Sequence, residues 1–314
     1  MKKKLLALTI GIMSSVLLMG CGKETTKTDQ KAVENKKEIT IEHSKGTTKI
    51  TTGVKKAVVF DMSIVDTMQE LGIDTELAVP QDSIPTYLKE YTKDAVNAGG
   101  IKEPDMEAIY SFEPDVIFIS GRQEGYYEEL SKIAPTVYAE INVDNYMDDV
   151  KKIVTYVGDI FDKSDVATEK LKTVDEKTAE VQSITKNSDK NALIILTNDG
   201  SISAYGKGSR FGLIHDVLGI KPADDKIEVS THGQEASYEY IAKVNPDVLF
   251  VVDRTAVAGG TTSAAKTLDN DIIKGTKAAK SDKIITLNAE HWYLSNGGLQ
   301  SVLSMLDEVK TAIQ

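Results

Sequence analysis

The chain has 314 residues, of which 48 are acidic and 37 are lysine or arginine, so its formal net charge is −11. This acidic balance argues against nucleic acid as a partner and against a general attraction to anionic lipid headgroups, because both carry negative charge. Arginine occurs only at Arg122, Arg210 and Arg254, whereas lysine supplies every other basic side chain. Because a guanidinium is planar, always charged and able to bind anionic oxygens bidentately, these three positions predict an anionic ligand.

The first predicted element is an export signal. Residues 1–20 begin with lysines, continue with an apolar stretch of signal-peptide length, and end at Gly20, directly before the single cysteine, Cys21. This pattern is typical of a secretory signal and resembles a bacterial lipobox, in which cleavage leaves a lipid-modified cysteine at the new N-terminus. We predict a signal peptide over residues 1–20 and lipidation of Cys21. The alternative is an ordinary secretory signal with an incidental cysteine.

The rest of the chain divides into four predicted segments. Residues 21–48 are polar and poor in large apolar side chains, which predicts a flexible tether behind the lipidated N-terminus. An N-terminal lobe over residues 49–144 and a C-terminal lobe over 187–314 follow, separated by a linking helix at 145–186. That helix is expected because apolar residues recur at helical spacing, with a break most plausible near Asp162.

The two lobes are related by an internal repeat. The segment EPDMEAIYSFEPDVIFISGR (103–122) aligns without gaps on EASYEYIAKVNPDVLFVVDR (235–254), so that Arg122 and Arg254 end equivalent apolar strands. In an open α/β sheet, ligands bind beyond the carboxyl ends of the strands. We therefore expect both arginines to point into a cleft between the lobes, with two solvated surface arginines as the alternative.

The pattern upstream of the repeat indicates the fold class. SIVDTMQELGI (63–73) and RFGLIHDVLGI (210–220) are typical of amphipathic helices that end at glycine, and each follows an apolar strand. Strands that alternate with helices predict an α/β fold with parallel central sheets in both lobes.

Two loops of the C-terminal lobe carry further candidates. Arg210 follows a Gly-containing turn next to Tyr205, and this turn is more typical of a plain helix entry than of a phosphate cradle. His232 and Tyr293 lie in polar loops, where an imidazole and a phenol could complete the coordination of ferric iron, although ordinary loop hydrogen bonds explain them equally well. Trp292, the single tryptophan, is assigned to the ligand site with Tyr205 because it adjoins Tyr293.

Enzyme chemistry has little support in the sequence. GxSxG, P-loop, HExxH and CxxC motifs are all missing from the 314 residues, and Cys21 is the only cysteine. We therefore expect neither an enzyme nor an intrinsic cofactor.

The motifs together carry a family resemblance. They are the lipobox, the repeated PDV strand that ends on arginine, the lone central helix, and the segments STHGQEASYEYI (230–241) and HWYLSNGGL (291–299). In these features nearly the whole chain after the tether resembles the substrate-binding lipoproteins of Gram-positive ferric-siderophore ABC importers, above all those for petrobactin and related catecholates. The resemblance implies a class III substrate-binding protein, in which two Rossmann-like lobes are joined by one long α-helix.

The resemblance also implies roles for particular residues. In such proteins three arginines converge on the catecholate oxygens of the ferric complex, and Arg122, Arg210 and Arg254 match those positions. A histidine and a tyrosine fill the vacant coordination sites of iron complexes with only two catechols; His232 and Tyr293 match them. In such proteins one glutamate on each lobe contacts arginines of the permease. The resemblance assigns this role to Glu107 and Glu239.

The implied partners are a ferric catecholate siderophore, an ABC permease with its ATPase, and the cell membrane through the lipid on Cys21. We expect a monomer held on the extracellular face of a Gram-positive cell. Haem, cobalamin or a hydroxamate siderophore, bound by the same architecture, are the alternative ligands.

Overall fold

The computed structural model describes residues 36–314. The predicted signal peptide, the lipidation site Cys21 and the tether up to residue 35 lie outside the described residues. Within residues 36–314, no helix is both long enough and apolar enough to cross a membrane.

The described chain begins with an antiparallel hairpin made of β1 (Glu38–His43) and β2 (Gly46–Thr51). Ile41 and Ile50 are buried, and the Thr48 hydroxyl donates a hydrogen bond of 2.6 Å to the carbonyl of Thr136 in the N-terminal lobe. The prediction of a flexible tether as far as residue 48 is therefore wrong from Glu38 onward. The apolar side chains of the hairpin are few, but they alternate along the strands and so share one buried face.

The N-terminal lobe contains five parallel strands with helices between them. The strands are β3 (Lys56–Val59), β4 (Glu76–Val79), β5 (Val96–Asn97), β6 (Val116–Ile119) and β7 (Thr136–Tyr138). The helices are α1 (Met62–Glu70), α2 (Met106–Phe112) and α3 (Tyr127–Leu130), with 3₁₀ turns at Thr86–Leu88, Gly121–Tyr126 and Val143–Asn145. The spatial order is β5-β4-β3-β6-β7, and all four residues of β6 are buried, as expected for a parallel sheet covered on both faces.

Two helices, not one, separate the lobes: α4 (Tyr146–Ile160) and α5 (Ser164–Thr185). Lys151 and Asp175 form an ion pair at 2.5 Å, and a Cβ at Gly158 would lie 2.7 Å from that of Ala167, so the two helices run antiparallel against each other. The chain reverses at Asp162, which adopts a left-handed φ of 56°. The prediction of one long linking helix over residues 145–186 is therefore wrong, because the segment forms two helices. The break expected near Asp162 is the place where the chain turns.

The C-terminal lobe has a mixed sheet in the order β11-β9-β8-β12-β13, with β10 also paired to β8. Its strands are β8 (Asn191–Asn198), β9 (Ser201–Tyr205), β10 (Lys221–Pro222), β11 (Gln234–Glu235), β12 (Val248–Asp253) and β13 (Ile284–Leu287). Its helices are α6 (Tyr238–Val244), α7 (Thr255–Ala258), α8 (Ala264–Leu268), α9 (Asp271–Lys274), α10 (Lys277–Lys280) and α11 (Leu299–Ile313), with π-helical turns at Leu213–Val217 and Glu290–Leu294.

The predicted parallel sheet is confirmed for the centre of this lobe, where β8, β12 and β13 are parallel. The edge differs, because β9 returns antiparallel to β8 through a tight turn at Asp199 and Gly200, both of which have positive φ. The helix predicted over residues 210–220 is limited to the π-helical turn at Leu213–Val217. Gly219, with a φ of 72°, ends it as expected.

The internal repeat is present in three dimensions. Helices α2 and α6 each have seven residues and end on a left-handed residue, Glu113 (φ 53°) and Asn245 (φ 51°). The aspartates of the two PDV segments have equivalent contacts: Asp115 accepts hydrogen bonds from the backbone N–H of Lys56, and Asp247 from that of Asn191. Each carboxylate therefore ties the start of a central strand to its neighbour and aligns the carboxyl ends that follow.

The lobes also meet directly, where α1 contacts the N-terminus of α11. The carboxylate of Asp66, which is fully buried, accepts hydrogen bonds from the backbone N–H groups of Gln300 (2.7 Å) and Ser301 (3.0 Å) and from the Tyr87 hydroxyl (2.6 Å). A Cβ at Gly298 would collide with this carboxylate. A side chain of one lobe thus caps a helix of the other, which adds a second link to the helical connection.

Candidate ligand-binding site

Arg254 directly follows β12 at its carboxyl end. Its backbone N–H donates to the carbonyl of Thr197 at 2.9 Å, which holds the residue beside the end of β8. Its guanidinium uses two edges: Nε donates to the Tyr293 hydroxyl at 2.7 Å and Nη1 to the side-chain oxygen of Asn198 at 2.6 Å. The side chain is half-buried.

Arg210 lies after β9, just before the π-helical turn at Leu213–Val217. Its Nη2 donates to the Tyr293 carbonyl at 3.2 Å, and its guanidinium carbon stands 4.4 Å from the centre of the Tyr293 ring. The Nε atom is buried and has no hydrogen-bond partner among the described residues. Burial lowers the pKa of Arg210, and the charge of Arg122 lowers it further, whereas Tyr293 and Tyr205 oppose this shift. A buried donor without a partner indicates that an acceptor is needed.

Arg122 comes from the N-terminal lobe, in the 3₁₀ turn that follows β6. Its side chain is exposed, and its guanidinium makes no hydrogen bond or ion pair with any residue in the described part of the chain. Its charge nevertheless acts on Arg210 and Tyr293 in the other lobe. Arg122 is therefore positioned to bind an anion without first giving up a protein contact.

Tyr293, in the π-helical turn at Glu290–Leu294, connects the arginines electrostatically. Burial raises the pKa of its phenol, but the hydrogen bond from Arg254 and the charges of Arg254, Arg210 and Arg122 outweigh burial and leave the pKa below its usual value. Three cations from both lobes thus act on one phenolic oxygen. The same field would stabilise other oxygen anions in this place.

Arg122, Arg210 and Tyr293 line a cleft of about 280 Å³ between the lobes, and Arg254 lies behind it, hydrogen-bonded to the Tyr293 hydroxyl. The N-terminal lobe contributes Asp61, Ser120, Arg122, Tyr138 and Glu140, and the C-terminal lobe contributes Arg210, Tyr293 and Asn296. A larger groove of about 650 Å³ runs along α11 and β13, but it has no arginine in its lining. The smaller cleft is the better candidate because the carboxyl ends of both sheets and the arginines open into it.

Tyr205 and Trp292 lie beneath the site and not at its surface. They are 3% and 0% exposed, and each ring packs against Phe211, at 4.8 Å and 6.4 Å between centroids. The indole N–H of Trp292 donates to Glu308 at 2.6 Å. The direct ligand contacts predicted for these two residues are therefore corrected: in this structure they support the turns that carry Arg210 and Tyr293.

His232 is exposed in the loop before β11. The next residue, Gly233, has a φ of 74° and lies so close to the Tyr205 ring that a Cβ would stand 2.7 Å from it. No hydrogen bond joins His232 to Tyr293, and the described residues contain no cluster of three or more His, Cys, Asp or Glu that could hold a metal ion alone. A shared iron site for His232 and Tyr293 thus requires ligand atoms from the siderophore and stays a prediction.

Glu107 and Glu239 occupy equivalent exposed places in the first turns of α2 and α6. Asp105 and Ser237 cap these helices through side-chain hydrogen bonds to backbone N–H groups. The backbone N–H of Glu239 and the Ser237 hydroxyl lower the pKa of Glu239. The repeat therefore presents one exposed glutamate at the same place on each lobe.

Two polar residues near the arginines, Asn198 and Asn296, were not predicted from the sequence. Asn198 ends β8 next to the strand end that carries Arg254, and Asn296 donates to the carbonyl of Arg210 at 3.3 Å. A polar residue at the end of an apolar strand is the signal that could have indicated Asn198.

Two α/β lobes, a cleft at the carboxyl ends of their strands and a group of arginines in that cleft define a binding protein for an anionic ligand. The chain belongs to the periplasmic binding protein family, whose sequence model matches residues 58–291, and this is a family of substrate-binding proteins. The predicted α/β fold with parallel central sheets, of the class III type, is thereby confirmed.

Individual relatives extend over almost the full length. The petrobactin-binding protein YclQ of Bacillus subtilis is 42% identical over 99% of this chain and 99% of its own, and its crystal structure matches with a TM-score of 0.85 over 88% of this chain and 99% of that one. The ferric-anguibactin-binding protein FatB of Vibrio anguillarum is 36% identical over 97% of this chain and 96% of its own. The siderophore-binding protein BauB, solved with two acinetobactin molecules and ferric iron, is 36% identical, with a TM-score of 0.80 over 88% of this chain and 99% of that one.

Proposed function

We propose that this protein is the extracellular ligand-binding component of an ABC importer and captures a ferric catecholate siderophore in the cleft between its lobes. The observation that carries the proposal is that Arg122, Arg210 and Tyr293 line one cleft between the lobes and that Arg254 donates a hydrogen bond to the Tyr293 hydroxyl. Relatives named for petrobactin, ferric anguibactin and ferric acinetobactin support the same ligand class.

The electrostatics favour such a ligand. A ferric tris-catecholate carries roughly three negative charges, and each charge-assisted hydrogen bond from an arginine contributes about 1.5–3 kcal/mol in a partly desolvated cleft. Among residues 36–314, Arg122 has no acceptor to release and the buried Nε of Arg210 has no acceptor at all. The globally acidic chain would otherwise repel the complex, so the local arginines supply the attraction.

Direct coordination of iron by His232 and Tyr293 belongs to the same proposal, for complexes with only two catechols. The lowered pKa of Tyr293 supports it, because a phenolate is the form that binds ferric iron. The exposed His232 is free of side-chain hydrogen bonds to the described residues, so ligand atoms and a shift of its loop would bring the imidazole to the metal.

Delivery requires a permease and its ATPase, and we propose Glu107 and Glu239 as the carboxylates that meet basic residues of that permease. We further propose that the protein acts as a monomer, does not chemically alter its ligand, and is anchored to the outer face of the membrane by the lipid on Cys21.

The test is a fluorescence titration with ferric bis-catecholate and tris-catecholate complexes. Arg122→Ala, Arg210→Ala and Arg254→Ala should each weaken binding about tenfold to a hundredfold, whereas Lys207→Ala, an exposed cation three residues before Arg210, should change it little. His232→Ala with Tyr293→Phe should affect the bis-catecholate far more than the tris-catecholate. Tight binding of haem, cobalamin or a ferric hydroxamate, with no binding of either catecholate, would contradict the proposal.

A further inference from the structure

The turn of the N-terminal hairpin lies at the rim of the arginine cleft. Ser44 and Lys45 connect β1 to β2, and the Ser44 hydroxyl donates a hydrogen bond of 2.7 Å to Glu140. This bond holds the carboxylate but does not cancel its charge. The Lys45 ammonium stands 5.5 Å from the centre of the Tyr138 ring. Because Tyr138 and Glu140 both line the cleft, the hairpin adjoins the ligand site without belonging to the sheet of either lobe.

Lys45 forms an ion pair with Glu124, which lies two residues after Arg122 in the 3₁₀ turn Gly121–Tyr126. The hydrogen bond to Glu124 raises the pKa of Lys45, and the charges of Glu124 and Glu140 raise it further, so the ammonium is charged at neutral pH. The side chains of the pair are 31% and 53% exposed. An ion pair this accessible contributes little to folding stability, so its main effect is on the charge of the rim.

Glu124 and Glu140 place two negative charges beside the cleft. Burial raises the pKa of the Tyr138 phenol, the charges of these two carboxylates raise it further, and the charge of Lys45 opposes them. A Cβ at Gly121 would lie 3.7 Å from the Tyr138 hydroxyl, so this phenol stands directly beside the start of the 3₁₀ turn. The opposing effects on Tyr138 therefore show that Lys45 offsets the acidic rim at the wall of the cleft.

The same ion pair bears on Arg122. Glu124 is the acidic residue nearest to Arg122 in the sequence, yet Arg122 forms no ion pair with any of the described residues. A carboxylate bound to a guanidinium competes with an anionic ligand for the same N–H donors. Because Lys45 binds Glu124 from the hairpin side, the carboxylate is neutralised by a residue outside the turn and Arg122 keeps its donors for the ligand.

We propose that Lys45 is a specificity-determining residue of the ligand site: it neutralises Glu124, so that the rim does not repel an anionic complex and Arg122 stays available to bind it. This rests on the proposed function and adds a cation from the hairpin to the three arginines. Lys45 acts through the electrostatic field and not by contact with the ligand, so its effect depends on the charge of Glu124. It favours the complex with the larger negative charge, which is roughly three for a ferric tris-catecholate and roughly one for a ferric bis-catecholate.

The test measures the affinity of the full-length protein and its variants for a ferric tris-catecholate by fluorescence titration at about 0.1 M salt. Lys45→Ala should weaken binding about threefold to tenfold, because Glu124 is then uncompensated. Adding Glu124→Gln to Lys45→Ala should restore the original affinity, since the net charge of the pair is again zero. The matched control is Lys49→Ala, which removes a second lysine of the hairpin, paired with Glu38 at 2.9 Å, and should change the affinity little.

Salt and ligand charge separate an electrostatic role of Lys45 from a structural one. The loss in Lys45→Ala should be larger for the tris-catecholate than for the bis-catecholate, and it should shrink at about 1 M salt, where the Debye length is about 3 Å. An unchanged affinity in Lys45→Ala overturns this proposal, as does an equal loss with and without Glu124→Gln. If the unmodified protein binds neither ferric catecholate, the proposed function fails instead.

Discussion

The planar guanidinium of Arg254 donates hydrogen bonds in two directions, to the Tyr293 hydroxyl and to the side-chain oxygen of Asn198. Arg210 stacks on the face of the same tyrosine and also donates to its carbonyl. A lysine ammonium could reproduce the charge at either place, but neither the two-edged contact nor the stacking. The shape of guanidinium therefore explains why arginine stands at these positions in a chain that otherwise uses lysine.

Arginine-to-lysine changes should therefore have unequal effects at the different positions. Arg254→Lys should weaken ferric catecholate binding about tenfold or more, because it loses a charge-assisted hydrogen bond and releases Tyr293. Arg122→Lys should weaken it less, since the side chain makes no hydrogen bond or ion pair with the described residues and lysine keeps the positive charge. Fluorescence titration of both variants measures the difference, and equal losses would show that geometry at Arg254 is unimportant.

The pKa of the Tyr293 phenol offers a direct measurement of the electrostatic field in the cleft. It should ionise below its ordinary pKa, because the positive charges of Arg254, Arg210 and Arg122 favour phenolate. Arg254→Ala removes the hydrogen bond to the phenol and the charge that lowers its pKa most, so it should raise the pKa of Tyr293. Ultraviolet absorbance of tyrosinate, titrated with pH and compared with Tyr293→Phe, identifies the step; an unchanged titration in Arg254→Ala would contradict this account.

At the scale of elements, the equivalent helices α2 and α6 both end in a left-handed backbone conformation, but their terminal residues differ. Each ends on a residue with left-handed φ, where glycine carries no steric cost. Asn245 tolerates this conformation and its side-chain oxygen accepts the backbone N–H of Lys277 at 2.8 Å. Glu113 is exposed, and no hydrogen bond of its side chain compensates for the strain within the described residues.

The two positions should therefore respond oppositely to glycine. Glu113→Gly should raise the free energy of unfolding by about 0.5–1 kcal/mol, by relieving the left-handed strain. Asn245→Gly should give no gain, because it loses the bond to Lys277. Urea unfolding of both variants, with Glu113→Ala as the control that retains the strain, checks the prediction. A stabilised Asn245→Gly, or an unchanged Glu113→Gly, would count against it.

The antiparallel helices α4 and α5 affect how the lobes are connected. The chain turns back at Asp162, so the connection consists of two packed helices and not a single rod. Helix α4 also carries Tyr156 and Asp149 to the wall of a second cavity of about 210 Å³, which shares Tyr138 and Glu140 with the arginine cleft.

At the scale of the whole molecule, the main link besides these helices is the cap that Asp66 places on α11. Burial raises the pKa of Asp66 from 3.8 to about 6, although hydrogen bonds from Tyr87, Ser301 and Gln300 oppose the shift. The folded protein therefore holds a proton at Asp66 more tightly than the unfolded chain does. The stabilisation from that proton is complete below about pH 4 and is lost as the pH rises through about 6.

The comparison with Asp66→Asn, whose amide does not titrate, isolates this effect. The unfolding free energy of the unmodified protein, relative to the variant, should rise by about 2–3 kcal/mol between neutral pH and about pH 4. Denaturant unfolding of both proteins at the two pH values measures it. A difference that does not vary with pH, or that shrinks on acidification, would show that Asp66 is not buried in this way.

Much of this protein is determined by local sequence. The repeated PDV segments specify equivalent strands and helices because the apolar periodicity and the capping residues are contained within each copy. The positions of Arg122 and Arg254 follow, since a residue at the carboxyl end of a parallel strand lies at the ligand-binding edge. The hairpin at Glu38–Thr51 also has a local signal, its alternating apolar residues, but the polar composition of the segment obscured it. The turn at Asp199–Gly200 is a local signal for an antiparallel strand pair, but the expectation of a parallel sheet obscured it.

Only the tertiary structure decided which neighbours of the arginines face the cleft. Trp292 is next to Tyr293 in sequence and Tyr205 lies five residues before Arg210, yet both are buried against Phe211, because side-chain direction depends on packing between segments distant in the chain. The cap of Asp66 on α11 and the meeting of Glu140, Asp149 and Tyr156 in one recess likewise join residues far apart in sequence. Periodicity and capping report the contacts that a segment makes with itself, whereas these contacts exist only after the lobes have packed together.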